Sequence, residues 1–307
     1  MNRIGILLRE PWIEKFSCLE EMIKKLLIIG FSHIELPQKH FFPEKEIGFL
    51  RRIKKEKNIS YSVHASCPCG LINLTNPNYL NFEFRAEQLF EFSRKIEATL
   101  INFDFDLCYK TELCWAKTPN SAWQRMYQTL TSRINFLLNQ SQETKIEIAF
   151  ENADVREPEF LDIVRFGMKP GDFLTLKKDC PEIKITLDIG HLFLEANWFH
   201  FDMFKDFLEP LFPLIIHTHL SSNFGKDNGF GFKDYQKGIG DLHLSLQKGI
   251  LPWRKIVRFL LNHGYQGSFL LEIGPEIYQK NLTGILEEIK ISYDLLNSFL
   301  RDCLGNS

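Results

Sequence analysis

The chain has 307 residues, a formal net charge of −2, 25% charged residues and 44% hydrophobic ones. That balance supplies no basic tail for nucleic acid, and no stretch approaches the roughly 20 apolar residues of a membrane span. Seven cysteines, an odd number without framework spacing, suit a reducing cytoplasm rather than a disulfide scaffold.

The N-terminus carries Arg9, Glu10, Glu14 and Lys15 early, which interrupts any signal-peptide pattern. A soluble cytoplasmic protein is the expectation. From there short β-branched or aromatic runs alternate with longer amphipathic segments. Strands are predicted at 3–8, 32–36, 60–64, 99–104, 146–151, 184–189, 214–220 and 268–273. Helices are predicted at 17–29, 44–57, 78–97, 120–139, 157–167, 199–208, 252–263 and 283–302. Eight βα units in series imply an α/β fold with a parallel sheet closed into a (β/α)8 barrel. No Pro-, Gly- or Ser-rich linker divides the chain, so residues 1–307 are expected to form one domain. The 28 phenylalanines point to bulky packing between helices and sheet.

Side chains alternate faces along a strand, so residues two apart share a face. Ile146, Ile148 and Phe150 therefore oppose Glu147, Ala149 and Glu151; Ile185, Leu187 and Ile189 oppose Thr186 and Asp188. Ile101 and Phe103 oppose Asn102 and Asp104, Val63 opposes His64, and Leu271 and Ile273 oppose Glu272. Ile34 and Leu36 likewise oppose His33 and Glu35. The apolar face packs on the helices, and the other face ends, strand after strand, in a group able to bind metal. Converging carboxylates repel, and burying them is costly unless a cation or partner compensates. His64, Glu151, Asp188, His191, His219, Asp241, His243 and Glu272 are the candidate ligands. They sit at or just beyond strand ends, the face where barrel active sites lie. Mixed histidine and carboxylate ligation suits Zn2+, Mn2+ or Fe2+.

The segments VHASCPCGLINLTNP (63–77), AFENAD (149–154), LDIGH (187–191), HTHLSSNFG (217–225), GDLHLSLQKGILPW (240–253) and LLEIGPE (270–276) together resemble the xylose-isomerase-like barrel superfamily. It includes sugar phosphate isomerases and epimerases and the class II AP endonucleases. The resemblance spans nearly the whole chain in the expected strand order. It implies one metal held by Glu151, Asp188, His219 and Glu272, with the two glutamates shuttling protons and His191 helping to hold substrate. The endonuclease branch implies further ligands at His64, His191, Asp241 and His243. Another endonuclease histidine falls at Asp104 in this chain, a departure that still leaves an oxygen ligand.

The segment 221–240 is long for a βα connection, as lids and binding loops are. Its aromatics (Phe224, Phe230, Phe232, Tyr235) alternate with glycines and with Lys226, Lys233 and Lys237. Lys226 is the expected phosphate contact, Trp115 and Tyr109 of the 105–119 segment are candidate walls, and Glu35 is a candidate substrate contact. His217 is expected to be a hydrogen-bonded interior histidine, and the Cys67–Cys69 pair is expected to be incidental. No P-loop or dinucleotide fingerprint occurs, so no nucleotide cofactor is expected. The resulting expectation is a metal-dependent isomerase or epimerase of a sugar or sugar phosphate. The alternative is a two- or three-metal phosphoester hydrolase, for which nucleic acid is a conceivable substrate.

Overall fold

Each alternating run in the sequence becomes a strand of one barrel. The structure is a computed structural model and describes residues 3–9, 12, 19–38, 42–65, 74, 81–105, 108–109, 119–156, 163–164, 166–274 and 281–304. The barrel strands are β1 (Ile4–Leu7), β2 (His33–Pro37), β3 (Ser60–Ala65), β4 (Leu100–Asp104), β5 (Glu147–Glu151), β6 (Ile185–Asp188), β7 (Ile215–Leu220) and β8 (Phe269–Leu271). Consecutive strands pair in parallel, and β8 closes on β1. All eight predicted strands are present, to within one or two residues at their ends.

Around them lie α1 (Leu19–Ile29), α2 (Glu44–Lys57), α3 (Phe82–Lys95), α4 (Pro119–Thr144), α5 (Pro170–Asp179), α6 (Ile189–Phe199), α7 (Trp253–Asn262) and α8 (Leu282–Leu304). Their apolar stripes explain the packing. In α7, Trp253, Ile256, Val257 and Leu260 recur at helical spacing and are buried. The phenylalanines fill the layer between barrel and helices. Phe105 packs on Phe150, Phe166 and Phe173 with ring centroids 5.9, 5.2 and 5.7 Å apart, distances at which edge and offset ring contacts stabilise a core.

Two predicted helices are corrected. Within the predicted 157–167 helix, Ile163–Val164 instead pairs antiparallel with Cys108–Tyr109, and the helix runs over Pro170–Asp179. Pro170 begins that helix, and Asp172 Oδ2 accepts the N–H groups of Gly167, Met168 and Lys169 at 3.0, 3.1 and 3.2 Å. The helix predicted at 199–208 is a π-helical stretch, Met203–Leu208, and the α-helix of this unit is α6, which lies before it and ends at Phe199. The strand predicted to reach Ile189 stops at Asp188, because the Asp188 carboxylate accepts the His191 N–H at 2.6 Å and starts α6 at once. Among the described residues no helix is long and apolar enough to cross a membrane.

Candidate metal centre

The barrel interior is polar along much of its length. His33, Glu35, Ser62, His64, Asn102, Glu151, Thr186, Asp188, His217 and His219 are all buried. Register brings the expected ligands level: Asp104 lies opposite Glu151 and Asp188 opposite His219. A bulge in the β6–β7 pairing sets the second match. Ile185 pairs with Ile215 but Thr186 with His217, so one extra residue in β7 turns His219, rather than Thr218, toward Asp188.

Glu151, Asp188, His219 and Glu272 each offer a ligand atom, and these atoms lie within 4.8 Å of one another. Metal–ligand bonds of about 2.0–2.2 Å put opposed ligand atoms up to about 4.4 Å apart, so small rotamer shifts suffice to close the set. Each member is held from behind. Asn102 Nδ2 donates to Glu151 Oε2 at 2.5 Å. Asp188 uses Oδ1 as the α6 cap, while Asn152 brackets its backbone, accepting its N–H at 2.7 Å and donating to its carbonyl at 3.0 Å. The Arg9 guanidinium pairs with Glu272 Oε1. His219 Nε2 meets Glu35 Oε1 at 2.9 Å, which leaves Nδ1 facing Glu151 Oε2 at 3.1 Å and Glu272 Oε2 at 3.0 Å.

The donor set passes a direct test of fit. Asp188 Oδ2, His219 Nδ1 and Glu272 Oε2 are buried without a well-formed hydrogen bond, His219 Nδ1 having only the ion-pair contacts to Glu151 and Glu272 just given. Buried polar atoms without partners are costly, and these three converge on the point where a cation satisfies them all. The electrostatics agree. Burial raises the Asp188 carboxyl well above the usual range, and nearby Glu272 and Glu151 add to the shift. Burial acts in the same direction on Glu151, but His219 and His64 outweigh it and hold that group low. Glu272 is held low against burial by Arg9, His243 and His219. Burial disfavours a charged His219, yet Glu151, Glu35 and Glu272 raise its pKa well above the ordinary value.

Two further groups flank the quartet. His64, Asp104 and Glu151 bring ligand atoms within 4.8 Å of one another, as do His191, Asp241 and His243. His64 is stacked on His219 with ring centroids 5.3 Å apart; burial works against its charge, but Asp104 and Glu151 hold its pKa up to about 9. His191 Nδ1 lies 2.8 Å from the Asn152 carbonyl, so the ring donates there and turns Nε2 toward Asp241, 3.6 Å from its Oδ2. His243 adopts a left-handed backbone at φ 49°, a strained conformation for a non-glycine residue. Gly274 makes room for it: a Cβ there would come within 2.4 Å of His243 Cβ.

The remaining expected contacts lie as follows. Glu35 is fully buried and faces His217 and His219. His217 is the hydrogen-bonded interior histidine expected of it, 2.9 Å from Glu35 Oε2. Lys226 is exposed, and its carbonyl accepts the Gly240 N–H. Lys233 instead reaches the centre, with Nζ 3.0 Å from Asp241 Oδ2 and 2.8 Å from His243 Nδ1. Trp115, Cys67 and Cys69 lie outside the described residues, as does the Tyr109 side chain. Sequence reasoning gave no weight to Arg9, Asn152 or His33, and gave Asn102 no role beyond its inward face. His33 Nε2 lies 2.8 Å from Ser62 Oγ, which donates to Glu35 Oε2 at 2.5 Å. The inward parity of β2 and β3 was the available signal for that pair.

A profile of the family described as "Xylose isomerase-like TIM barrel" matches residues 23–295. A curated relative, an uncharacterised protein of Methanocaldococcus jannaschii, is 24% identical over 265 residues, covering 82% of this chain and 84% of its own length. Among solved structures, a D-tagatose 3-epimerase-like protein superposes with a TM-score of 0.71 at 18% identity, covering 99% of both chains. D-psicose 3-epimerase of Clostridium cellulolyticum H10 superposes with a TM-score of 0.67 at 14% identity, over 97% of this chain and 99% of that one. At these identities the superpositions establish shared architecture.

Proposed function

The chain belongs to the xylose isomerase-like TIM-barrel family, and from that premise we propose that it is a metal-dependent isomerase or epimerase of a sugar or sugar phosphate. The observation that carries this reading is the meeting of two buried carboxylates, Glu151 from β5 and Glu272 just past β8, at one centre with Asp188 and His219. A divalent ion bound there supplies a Lewis acid that polarises a substrate carbonyl and fixes the neighbouring oxygen. The rest of the chemistry belongs to the side chains. One of Glu151 and Glu272 takes the proton from the carbon beside the carbonyl, and the other returns a proton to the next carbon or the opposite face. Both are held low by the charged groups around them, so either can act as the base, and the one that returns a proton first takes it from solvent. His191, anchored through Nδ1 to Asn152, presents Nε2 to a substrate hydroxyl. Structures of like fold include ketose 3-epimerases, which is support by analogy of fold.

The decisive experiment incubates the metal-loaded protein with pentose, hexose and their phosphates in D2O. Deuterium entering at the carbon beside the carbonyl supports proton abstraction; turnover without solvent exchange and with transfer of substrate hydride would contradict it.

A second reading, phosphoester hydrolysis by two or three ions, is favoured by one specific observation. The triads His64–Asp104–Glu151 and His191–Asp241–His243 adjoin the quartet, and a one-metal isomerase does not require them. In that case adjacent cations would hold the phosphoryl oxygens of a small phosphoester or of a nucleic acid. Cleavage of a model phosphodiester together with two or more ions per chain would select it.

A further inference from the structure

We propose that Lys233 is a tethered cation that fills the position framed by His191, Asp241 and His243 and so keeps a second metal ion out of it, a role that rests on the metal centre proposed above. His191, Asp241 and His243 form the natural second site. His243 Nε2 is 3.2 Å from Glu272 Oε1, and His191 Nδ1 is 3.7 Å from Glu151 Oε1, so this triad shares a border with the quartet on two sides. Two-metal catalysts hold their ions about 3.5–4 Å apart, and the triad is where a neighbouring ion would stand.

Lys233 already reaches into that place. Its ammonium donates to Asp241 Oδ2 at 3.0 Å and to His243 Nδ1 at 2.8 Å. The Asp241 and His243 side chains are only 6% and 7% exposed, so the ammonium joins His243 and His191 in compensating a buried carboxylate. The bond to His243 has a second consequence. Once Nδ1 accepts from Lys233, the ring proton resides on Nε2 and points at Glu272 Oε1, and no imidazole lone pair remains for an ion. A lysine is suited to this: it is a compact point charge with three donors.

The loop is shaped to deliver it. Asp234 and Ile239 exchange backbone hydrogen bonds of 2.9 and 3.0 Å, and Asp234 Oδ1 caps the turn by accepting from the Gln236 and Lys237 N–H groups at 3.1 and 3.0 Å. Gly240, at φ 87°, lets the chain return against Lys233; a Cβ there would lie 2.7 Å from the Phe232 carbonyl oxygen. The Lys233 side chain keeps 29% exposure, against 74% for Lys237 on the same loop. A fixed ammonium supplies positive charge without binding a hydroxide, which favours proton transfer over metal-hydroxide attack at this centre.

The test is the number of Mn2+ ions retained per chain after equilibrium dialysis, with electron paramagnetic resonance to detect spin-coupled pairs. Wild type is expected to hold one ion. Lys233→Ala and Lys233→Met are each expected to hold two, coupled, and Lys233→Met keeps the aliphatic stem in case Ala disturbs the loop. Adding His243→Ala to either variant should return the count to one. Two coupled ions in wild type, a single ion in both lysine variants, or a second ion that survives the loss of His243 would overturn the role of Lys233. No ion in any variant would instead remove the metal centre itself, which a single ion throughout would leave intact.

Discussion

Glu35 Oε1 lies 2.9 Å from His219 Nε2, although 184 residues separate the two in the chain. The carboxylate fixes which imidazole nitrogen carries the proton, so Nδ1 is left to face Glu151 and Glu272. Such partners of metal-binding histidines also raise the ligand's basicity, and their loss costs about 10–100-fold in metal affinity. Glu35→Gln should therefore weaken metal binding by about that factor, measured by competition with a chelating indicator. An unchanged affinity would show that the pairing is only structural.

Asp188 divides its carboxylate between two tasks: Oδ1 starts α6 by accepting the His191 N–H, and Oδ2 has no hydrogen-bond partner. The two tasks separate by mutation. Asp188→Asn keeps an N-cap acceptor and should lose metal affinity with little change in the stability of the metal-free chain. Asp188→Ala should lose metal affinity and a further ~0.5–2 kcal/mol through the missing cap. Urea denaturation in the presence of a chelator distinguishes them; equal stability of the two variants would mean that Asp188 does not hold the start of α6.

The strands and the inward placing of Glu151, Asp188 and Glu272 were legible from local parity, since each ends a run whose apolar partners face the helices; grouping them with His219 as one set was implied by the family resemblance. The α6 start was missed because LDIGHLFLEA is apolar on both sides of Asp188 and reads as a strand running on; only the cap reveals the change. The α5 start did carry a signal, Pro170 followed by Asp172, placed where proline and an acid favour a helix N-terminus. What distance in sequence conceals is barrel closure. The Glu35–His219 contact depends on the order of eight strands, and the Asp188–His219 match depends on a one-residue bulge. Lys233 rather than Lys226 reaches the centre because of a backbone bridge, Asp234 to Ile239, that composition does not encode.

Metal binding should be strongly pH-dependent. In the metal-free chain His64 is held up to about 9, and His219 and His191 are held well above their ordinary value. Burial also keeps Asp188 protonated above the usual carboxyl range. Asp188 and His219 must give up their protons to bind metal, and a protonated His64 or His191 beside the site repels the ion, so every one of these shifts works in the same direction. Affinity should rise as pH rises toward about 9, and binding near neutral pH should release protons. Calorimetry in buffers of differing ionisation enthalpy reads the proton count; zero release would contradict the assigned electrostatics.

Glu195 offers a test of the fold independent of metal. It is fully buried in α6, and neither carboxyl oxygen has a hydrogen-bond partner. Burial, reinforced by Asp172, Asp154 and Asp188, raises its pKa well above the ordinary 4.5. The native chain thus keeps a proton that the unfolded chain has already released, so between the two pKa values this group makes stability fall as pH rises. The slope for one proton is about 1.4 kcal/mol per pH unit. Glu195→Gln is neutral at every pH and lacks that slope, whatever its own cost of burial. Urea unfolding of the chelator-treated proteins at a series of pH values above 4.5 should show the variant gaining on wild type as pH rises, by at most about 1.4 kcal/mol per unit. Parallel pH profiles would mean that Glu195 ionises in the folded chain much as it does in the unfolded one, and that the interior of α6 admits water where none of its neighbours provides a partner.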